Sequence, residues 1–241
     1  MHYTRLTKAF IGFMVIAAAA TIANAILRGQ SWHPYLALTL LMIAMATSRM
    51  KVAIPGINGN MSVNLPFLML SVIMLSATES ILIACASSVI QTLPKDGAKL
   101  RPVRLLFNLS MMAFSSGAAG WIFHQPALGK LSWISGQLLL LGTTAAFFLG
   151  QTLPVSVIVA LTDGGAFRRI WANIAQMSFP YYIVSAGVTW MMESVGQYVG
   201  WLAALALLPV MFGIYRSYRL YFAKAVQPAT LAMAASAGTH N

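Results

Sequence analysis

Polar side chains that stand inside long apolar stretches are the first candidates for chemistry in this sequence. Charged and amide groups are costly in lipid, and they commonly face the interior of a helical bundle, where they mark binding sites. Eight residues of the chain fit this description: Asn24, Arg28, Glu79, Asn108, Gln137, Gln151, Thr152 and Glu193. We predict that these residues form its ligand-binding or intramembrane polar positions.

The chemistry open to these residues is binding rather than catalysis. The whole chain contains only four Asp and Glu residues, so general acid–base catalysis has few candidates. Nucleophile-elbow, phosphate-loop and dinucleotide-binding glycine motifs are absent from the sequence. We therefore expect no enzyme activity and no cofactor.

Cysteine and histidine are too sparse to predict a metal centre. Cys85 is the only cysteine, which excludes an intrachain disulfide and a multi-cysteine metal site. His33 and His124 fall at the same predicted face of the membrane, where a shared metal or haem site is conceivable. No cysteine or cluster of carboxylates accompanies them in the sequence, so we expect no metal.

Helical spacing places Thr21, Asn24 and Arg28 on one face of the first apolar segment. Arg28 either faces a ligand or extends toward the outer lipid headgroups, and the second interpretation is favoured. Asn108, near the inner end of the fifth segment, serves either in helix packing or in a site. Each of these positions therefore keeps a structural alternative.

The sixth segment carries a polar stripe, because Gln137, Thr144 and Gln151 recur every seven residues. Pro154 is predicted to kink or break this long helix. A helix opened beside Gln151 and Thr152 would free backbone carbonyls, which is a common way to build a site at the membrane midplane. A plain kink that takes up excess length is an equal alternative.

Small residues on the fifth and sixth segments predict close contact between helix backbones. Ser116 and Gly120 lie four residues apart on the fifth segment, and Gly142, Ala146 and Gly150 do so on the sixth. Such spacing lets two helices approach closely in lipid. A packing role is therefore favoured over a ligand role for these positions.

The composition of the chain indicates a membrane protein, in which polar residues are rare. The chain of 241 residues is 59% hydrophobic and 8% charged, whereas about a quarter of the residues in a soluble domain are charged. Lipid-exposed backbone must satisfy its own hydrogen bonds, and the apolar runs are continuous rather than alternating, so helices are favoured over a barrel. We predict an all-α integral membrane protein.

Eight apolar segments form the predicted bundle. They are Ala9–Leu27, Tyr35–Ser48, Leu65–Ala77, Ser80–Leu93, Leu105–Phe123, Leu131–Leu161, Phe179–Met192 and Tyr198–Tyr215. With a cytoplasmic N-terminus, Arg28 and Lys130 are the only two of the 15 Lys and Arg residues outside the inner loops and tail. The positive-inside rule then puts both termini in the cytoplasm, and we expect a multi-pass protein of the inner (plasma) membrane.

The net charge of +11 has the same explanation. Its basic residues are expected to contact anionic lipid headgroups rather than nucleic acid, since no soluble basic domain is present. Glu79 and Glu193 are predicted on the outer side with Arg28 and Lys130, where a solvated rim is favoured over a site. Three aromatic residues of the seventh segment are expected to anchor it at the interface: Tyr181, Tyr182 and Trp190.

Residues 64–93 form the unusual part of the bundle. Each arm has about 14 residues, or ~21 Å of helix against a ~30 Å hydrocarbon core. We predict a short helical pair or a re-entrant hairpin whose tip is Ala77–Ser80. The loop before it, with Val52–Ile54 and Met61–Val63 on either side of Asn58-Gly59, predicts a short extended flap.

The predicted membrane domain covers residues 1–224. Residues 225–241 are small and polar without periodicity, so they are predicted to be a disordered cytoplasmic tail. Ala23-Asn24-Ala25 fits a small-x-small cleavage pattern, but an uncleaved first helix is favoured because of its length.

Several short motifs together carry a resemblance to a known class of protein. They are Ile54-Pro55-Gly56, Ser62–Leu65, Arg104–Asn108, Gln151–Val155, Leu208-Pro209 and Tyr215–Tyr221. Their order resembles the multi-pass N-terminal membrane sensor regions that precede HD-type phosphohydrolase and diguanylate cyclase domains in bacteria, over residues 35–222. The resemblance implies a sensory module whose last helix passes a signal to a partner. No HD pair or cyclase motif occurs up to Asn241, so an output activity is not transferred.

Two other functions stay open at this point. A structural or accessory subunit of a larger membrane complex would need no ligand. The small-residue stretch Ala17–Ala20 and the short helices after a Pro-Gly loop are similar to substrate-binding subunits of vitamin-type energy-coupling transporters. That function predicts a solute cavity lined by Asn108, Gln137, Gln151 or Glu79.

Overall fold

The computed structural model describes residues 4–29, 31–53, 60–94, 101–125 and 136–199, and several residues between 209 and 220. This part of the chain is helical apart from one pair of short strands. The elements are α1 (Arg5–Leu27), α2 (Pro34–Ser48), β1 (Lys51–Ala53), β2 (Asn60–Ser62), α3 (Leu65–Met74), α4 (Ala77–Thr92), α5 (Pro102–Phe123), α6 (Gly136–Asp163) and α7 (Phe167–Val199).

Three of the described helices, α1, α5 and α6, are long and apolar enough to cross a membrane. The most apolar window of α5 is 56% buried, whereas those of α1 and α6 are 22% and 28% buried. Of these three helices, α5 is therefore the most enclosed by the rest of the protein. Large apolar side chains such as Phe13 and Ile16 are exposed on α1, and such a face is stable against lipid. These findings confirm a helical membrane protein, and the number of eight crossings stays a prediction.

The short pair at 64–93 is present as two helices, α3 and α4. The turn lies at Leu75 and Ser76 rather than at Ala77–Ser80, because Ser76 caps α4 and draws Ala77 into its first turn. Ten residues give α3 a length of only about 15 Å. Every residue from Leu65 to Val72 is buried, and α3 packs against α2, α4, α5 and α7. Protein rather than lipid therefore surrounds this half-length helix.

Small residues let α5 approach its neighbours closely, as predicted. A Cβ added to Gly150 of α6 would lie 2.6 Å from Ser115 Oγ, and one added to Gly142 would lie 3.2 Å from Ile122. On the other side of α5, a Cβ at Gly117 would lie 2.0 Å from Thr21 Cγ2 of α1. A close approach of α5 to α1 thus lies at Gly117, one residue beyond the predicted Ser116.

Two long helices differ from their predicted segments. α6 continues through Pro154 without a break. α7 begins at Phe167 instead of Phe179 and continues through Pro180. Arg168 and Arg169 are exposed in its first turn, and the Trp171 indole N–H donates to Thr152 Oγ1 over 3.3 Å. The early start of α7 is therefore packed on α6, while its arginines face outward.

The flap before α3 is an antiparallel pair in which Lys51 faces Ser62 and Ala53 faces Asn60. The predicted turn at Asn58-Gly59 lies outside the described residues. So do Lys130, most of the predicted segment Tyr198–Tyr215, and the tail 225–241.

Candidate functional site

One candidate site lies where three helices meet at one end of the bundle. We call this the outer end, at which α1 and α5 finish and α4 begins. A cavity of about 20 Å³ opens there, which is room for one water-sized group. We call it the outer cavity, and it is lined by Thr21, Asn24, Ala25, Arg28, Ala77, Gly117, Gly120, Trp121 and His124.

Arg28 and Asn24 line the outer cavity together, as their spacing on one helix face predicted. Arg28 follows the last residue of α1. Its Nε donates to Asn24 Oδ1 over 3.4 Å, and both side chains are exposed. The guanidinium is therefore held loosely at the mouth of the cavity. Thr21 lines the cavity one helical turn deeper.

Glu79 lies in the first turn of α4, two residues after the cavity-lining Ala77, and hydrogen bonds outside the cavity hold its carboxylate. The side chain is only 2% exposed. Its Oε1 accepts the His33 backbone N–H at 2.8 Å, and its Oε2 accepts the Ser76 N–H at 3.1 Å and the Ser76 hydroxyl at 2.7 Å. With the Ser76 hydroxyl accepting the Glu79 N–H, this is a capping box at the start of α4. The Ser-x-x-Glu spacing signals it in the sequence.

His124 caps a carbonyl group near the end of α3. One of its ring nitrogens, Nε2, lies 2.7 Å from the carbonyl oxygen of Val72, near the end of α3, where helix carbonyls lack partners within the helix. Because a carbonyl can only accept, Nε2 carries the proton of this bond. Among the described residues no three His, Cys, Asp or Glu side chains are grouped to hold a metal ion.

A second polar cluster lies toward the opposite, inner end, at which α2 and α4 finish and α5 begins. We call it the inner network: Ser48, Ser62, Asn64, Gln91 and Tyr181. Asn64 Nδ2 donates to Ser48 Oγ at 3.0 Å, and Ser62 Oγ donates to Asn64 Oδ1 at 2.7 Å. The Gln91 amide in turn donates to Ser62 Oγ. Asn64 is 4% exposed and Ser48 is fully buried.

Tyr181 joins this network to α7. Its hydroxyl accepts the Leu65 backbone N–H at 3.1 Å and donates to the Ser62 carbonyl at 2.9 Å. Two turns further on, Thr189 Oγ1 lies 3.4 Å from the Pro66 carbonyl. The first N–H groups of α3 have no partner within the helix, so α7 supplies one. Tyr181 is 4% and Tyr182 5% exposed, so the prediction that they anchor the helix at the interface is wrong.

The comparisons with known proteins place the chain in a family. The model of the MASE9 family matches residues 6–222, which is most of the chain. The chain belongs to the MASE9 family. MASE domains are membrane-associated sensor regions, which confirms the membrane-sensor part of the resemblance found in the sequence. No curated protein and no solved structure matches the MASE9 chain.

Two further predicted positions of the MASE9 chain act in helix packing. Asn108 Nδ2 donates to Thr92 Oγ1 at 3.0 Å and ties the start of α5 to the end of α4. Thr152 Oγ1 donates to the Phe148 carbonyl at 2.7 Å and accepts the Trp171 indole N–H. Both stay near the inner end, apart from the outer cavity.

The remaining predicted positions of the MASE9 chain are dispersed. Gln137 is exposed at the start of α6, and Glu193 is half-buried on α7. Gln151 is half-buried, and its amide nitrogen is buried without a hydrogen-bond partner among the described residues. Of the eight predicted residues, the structure brings Asn24 and Arg28 together at the outer cavity. Sequence reasoning missed Asn64 and Tyr181.

Proposed function

We propose that this chain is a sensory module of the bacterial inner membrane that catalyses no reaction and passes its signal to a partner. The observation that carries this proposal is the bond between Tyr181 and the start of α3. Through it, the buried half-length helix at the centre of the bundle is mechanically coupled to the longest described helix. Membership of a family of membrane-associated sensor regions supports the same function.

The length of α7 gives the coupling a direction. Its 33 residues span about 50 Å, well beyond a ~30 Å hydrocarbon core. The excess lies at the end that carries Arg168 and Arg169, which are exposed. A shift of α3 would therefore move the basic surface formed by Arg168 and Arg169. Anionic headgroups and a cytoplasmic partner can both contact that surface.

The proposed orientation places both termini and the inner end in the cytoplasm. The basic residues at that end support it: Arg49, Arg101, Arg104, Arg168 and Arg169. The test uses a Cys85→Ala background carrying either Ser31→Cys or Ala166→Cys, both at exposed positions. A membrane-impermeant maleimide should label the first variant in intact spheroplasts and the second only after permeabilisation. The reverse pattern would overturn the orientation.

The partner is tested by photo-crosslinking in cells. A crosslinking amino acid at Arg169, at the inner end, should capture a soluble signalling protein or domain, identified by mass spectrometry. The same amino acid at Tyr35, which is 89% exposed at the outer end, is the matched control and should not. Capture of integral membrane subunits alone would favour the structural-subunit function.

The outer cavity does not support the solute-transport alternative, which stays a prediction. It predicted a cavity lined by Asn108, Gln137, Gln151 or Glu79, and the outer cavity is lined by none of them. Its volume of about 20 Å³ holds a water-sized group and not a vitamin-sized solute.

A further inference from the structure

The outer cavity carries an unbalanced positive charge. Arg28 is always protonated at physiological pH, and no described residue that lines the cavity is acidic. The Glu79 carboxylate, in the first turn of α4, already accepts three hydrogen bonds from His33 and Ser76. An arginine that lines a cavity without a carboxylate partner in the described lining attracts an anion, because two charges interact more strongly beside low-dielectric protein than in bulk water.

Two polar groups that line the cavity with Arg28 can donate to an anion. Asn24 Oδ1 is used by the Arg28 N–H, which leaves the amide N–H₂ as a donor. Trp121, which lines the cavity and is 46% exposed, has an indole nitrogen that can only donate. The carboxylates and cluster of oxygen ligands that a cation would need are missing from the described lining.

The size of the cavity narrows the class of ligand further. About 20 Å³ accommodates one oxygen-sized group. Arg28 and Trp121 are exposed at its mouth, so the rest of a ligand can stay outside. We propose that the outer cavity binds one oxygen of a carboxylate or phosphate group, with Arg28 as its counter-ion. That group is supplied either by a small soluble anion or by a lipid headgroup of the outer leaflet.

This binding site deepens the proposed function, since it names what the sensory module would detect, but binding is measurable without any signalling readout. The purified full chain is placed in nanodiscs of neutral lipid and titrated with acetate and with inorganic phosphate at constant ionic strength. The signal is the emission of Trp121, obtained as the difference between the wild type and Trp121→Phe. We expect a saturable change in the wild type for at least one of the two anions.

Variants assign that change to the site. Arg28→Gln should weaken binding by about tenfold or more, because hydrogen bonds from a charged donor are stronger than those from a neutral one. Arg49→Gln is the matched control, since Arg49 is likewise an exposed arginine directly after a helix, and it should bind as the wild type does. Arg28→Lys keeps the charge and should bind between the two. Thermal unfolding of each variant separates lost binding from lost folding.

A second arm distinguishes the two sources. In nanodiscs that contain anionic phospholipid, a headgroup ligand would occupy the site before any soluble anion is added. Wild-type Trp121 would then show the emission of the bound state without titration, and Arg28→Gln would not. A soluble ligand would give the same titration in both lipids. The site would be overturned if neither lipid gave a saturable change and anionic lipid gave the wild type and Arg28→Gln the same Trp121 emission, or if Arg28→Gln bound the anions as the wild type does. Binding that leaves the Arg169 crosslink unchanged would keep the site and remove its sensory role.

Discussion

The outer cavity and the inner network are built from similar residues but in opposite ways. Asn24 at the outer cavity is exposed and shares one long hydrogen bond with a charged neighbour. Asn64 in the inner network is 4% exposed and bonds two hydroxyl groups at 3.0 Å or less. Neutral groups that satisfy one another can be buried at low cost, whereas a charge stays where water or headgroups reach it. The inner network therefore stabilises the bundle, whereas the exposed groups of the outer cavity can bind a ligand.

The largest effect should come from breaking the inner network. Asn64→Leu removes both hydrogen bonds and leaves the Ser62 hydroxyl without its acceptor in a buried position. We expect a loss of about 3 kcal/mol in the free energy of unfolding, since each orphaned buried group costs on the order of 1–3 kcal/mol. Unfolding in a denaturing-detergent titration measures it.

The same change at the outer cavity is the control. Asn24→Leu removes an exposed hydrogen bond and should cost about 0.5 kcal/mol or less. Equal losses for the two asparagine variants would show that the contrast between the regions is wrong.

A smaller effect should come from forcing apart the helices around the outer cavity. Gly117→Ala would place a methyl group 2.0 Å from Thr21 Cγ2, and relieving such overpacking costs about 2 kcal/mol. Because α1 would move away from α5, anion binding at Arg28 should change as well. Thermal unfolding and the Trp121 titration measure the two effects.

Gly187 on α7 provides the comparison for this glycine, because a Cβ there meets nothing within 4 Å. Gly187→Ala should leave the free energy of unfolding unchanged or raise it by about 0.5 kcal/mol, because alanine has the higher helix propensity. The double variant Gly117→Ala/Thr21→Ala should recover most of the loss. Failure to recover would place the strain elsewhere.

The smallest effect should come from Tyr181→Phe, which keeps the ring and removes the hydroxyl that joins α3 to α7. We expect the free energy of unfolding to fall by about 1 kcal/mol, a typical value for a lost hydrogen bond. Tyr182→Phe is the matched control, since Tyr182 is equally buried and packs edge-on against Phe148. If Tyr181 carries the coupling, its variant alone should also reduce the crosslink from Arg169.

The sequence predicted those features that depend on neighbouring residues. Long apolar runs located α1, α2 and α5 to within a few residues, and helical spacing put Asn24 and Arg28 on one face. The early start of α7 was missed because two adjacent arginines, Arg168 and Arg169, are typical of a loop between membrane helices. The hydrogen bond from Trp171 to Thr152, which packs this turn on α6, has no local signal in the sequence. Tyr181 was taken for an interfacial anchor because its partner, Leu65, lies 116 residues away in the chain. No local pattern reports a contact of that separation.

The half-length α3 has a consequence for how this protein is made. At about 15 Å it is too short to be held across the bilayer when it emerges from the ribosome. The N–H of Leu65 finds its partner only when Tyr181 has been synthesised, and an unpaired N–H in hydrocarbon costs several kcal/mol. The centre of the bundle is therefore completed late, after α7 has been inserted. A ribosome stalled before Tyr181 should leave residues near α3 open to protease or thiol reagents that the finished protein resists.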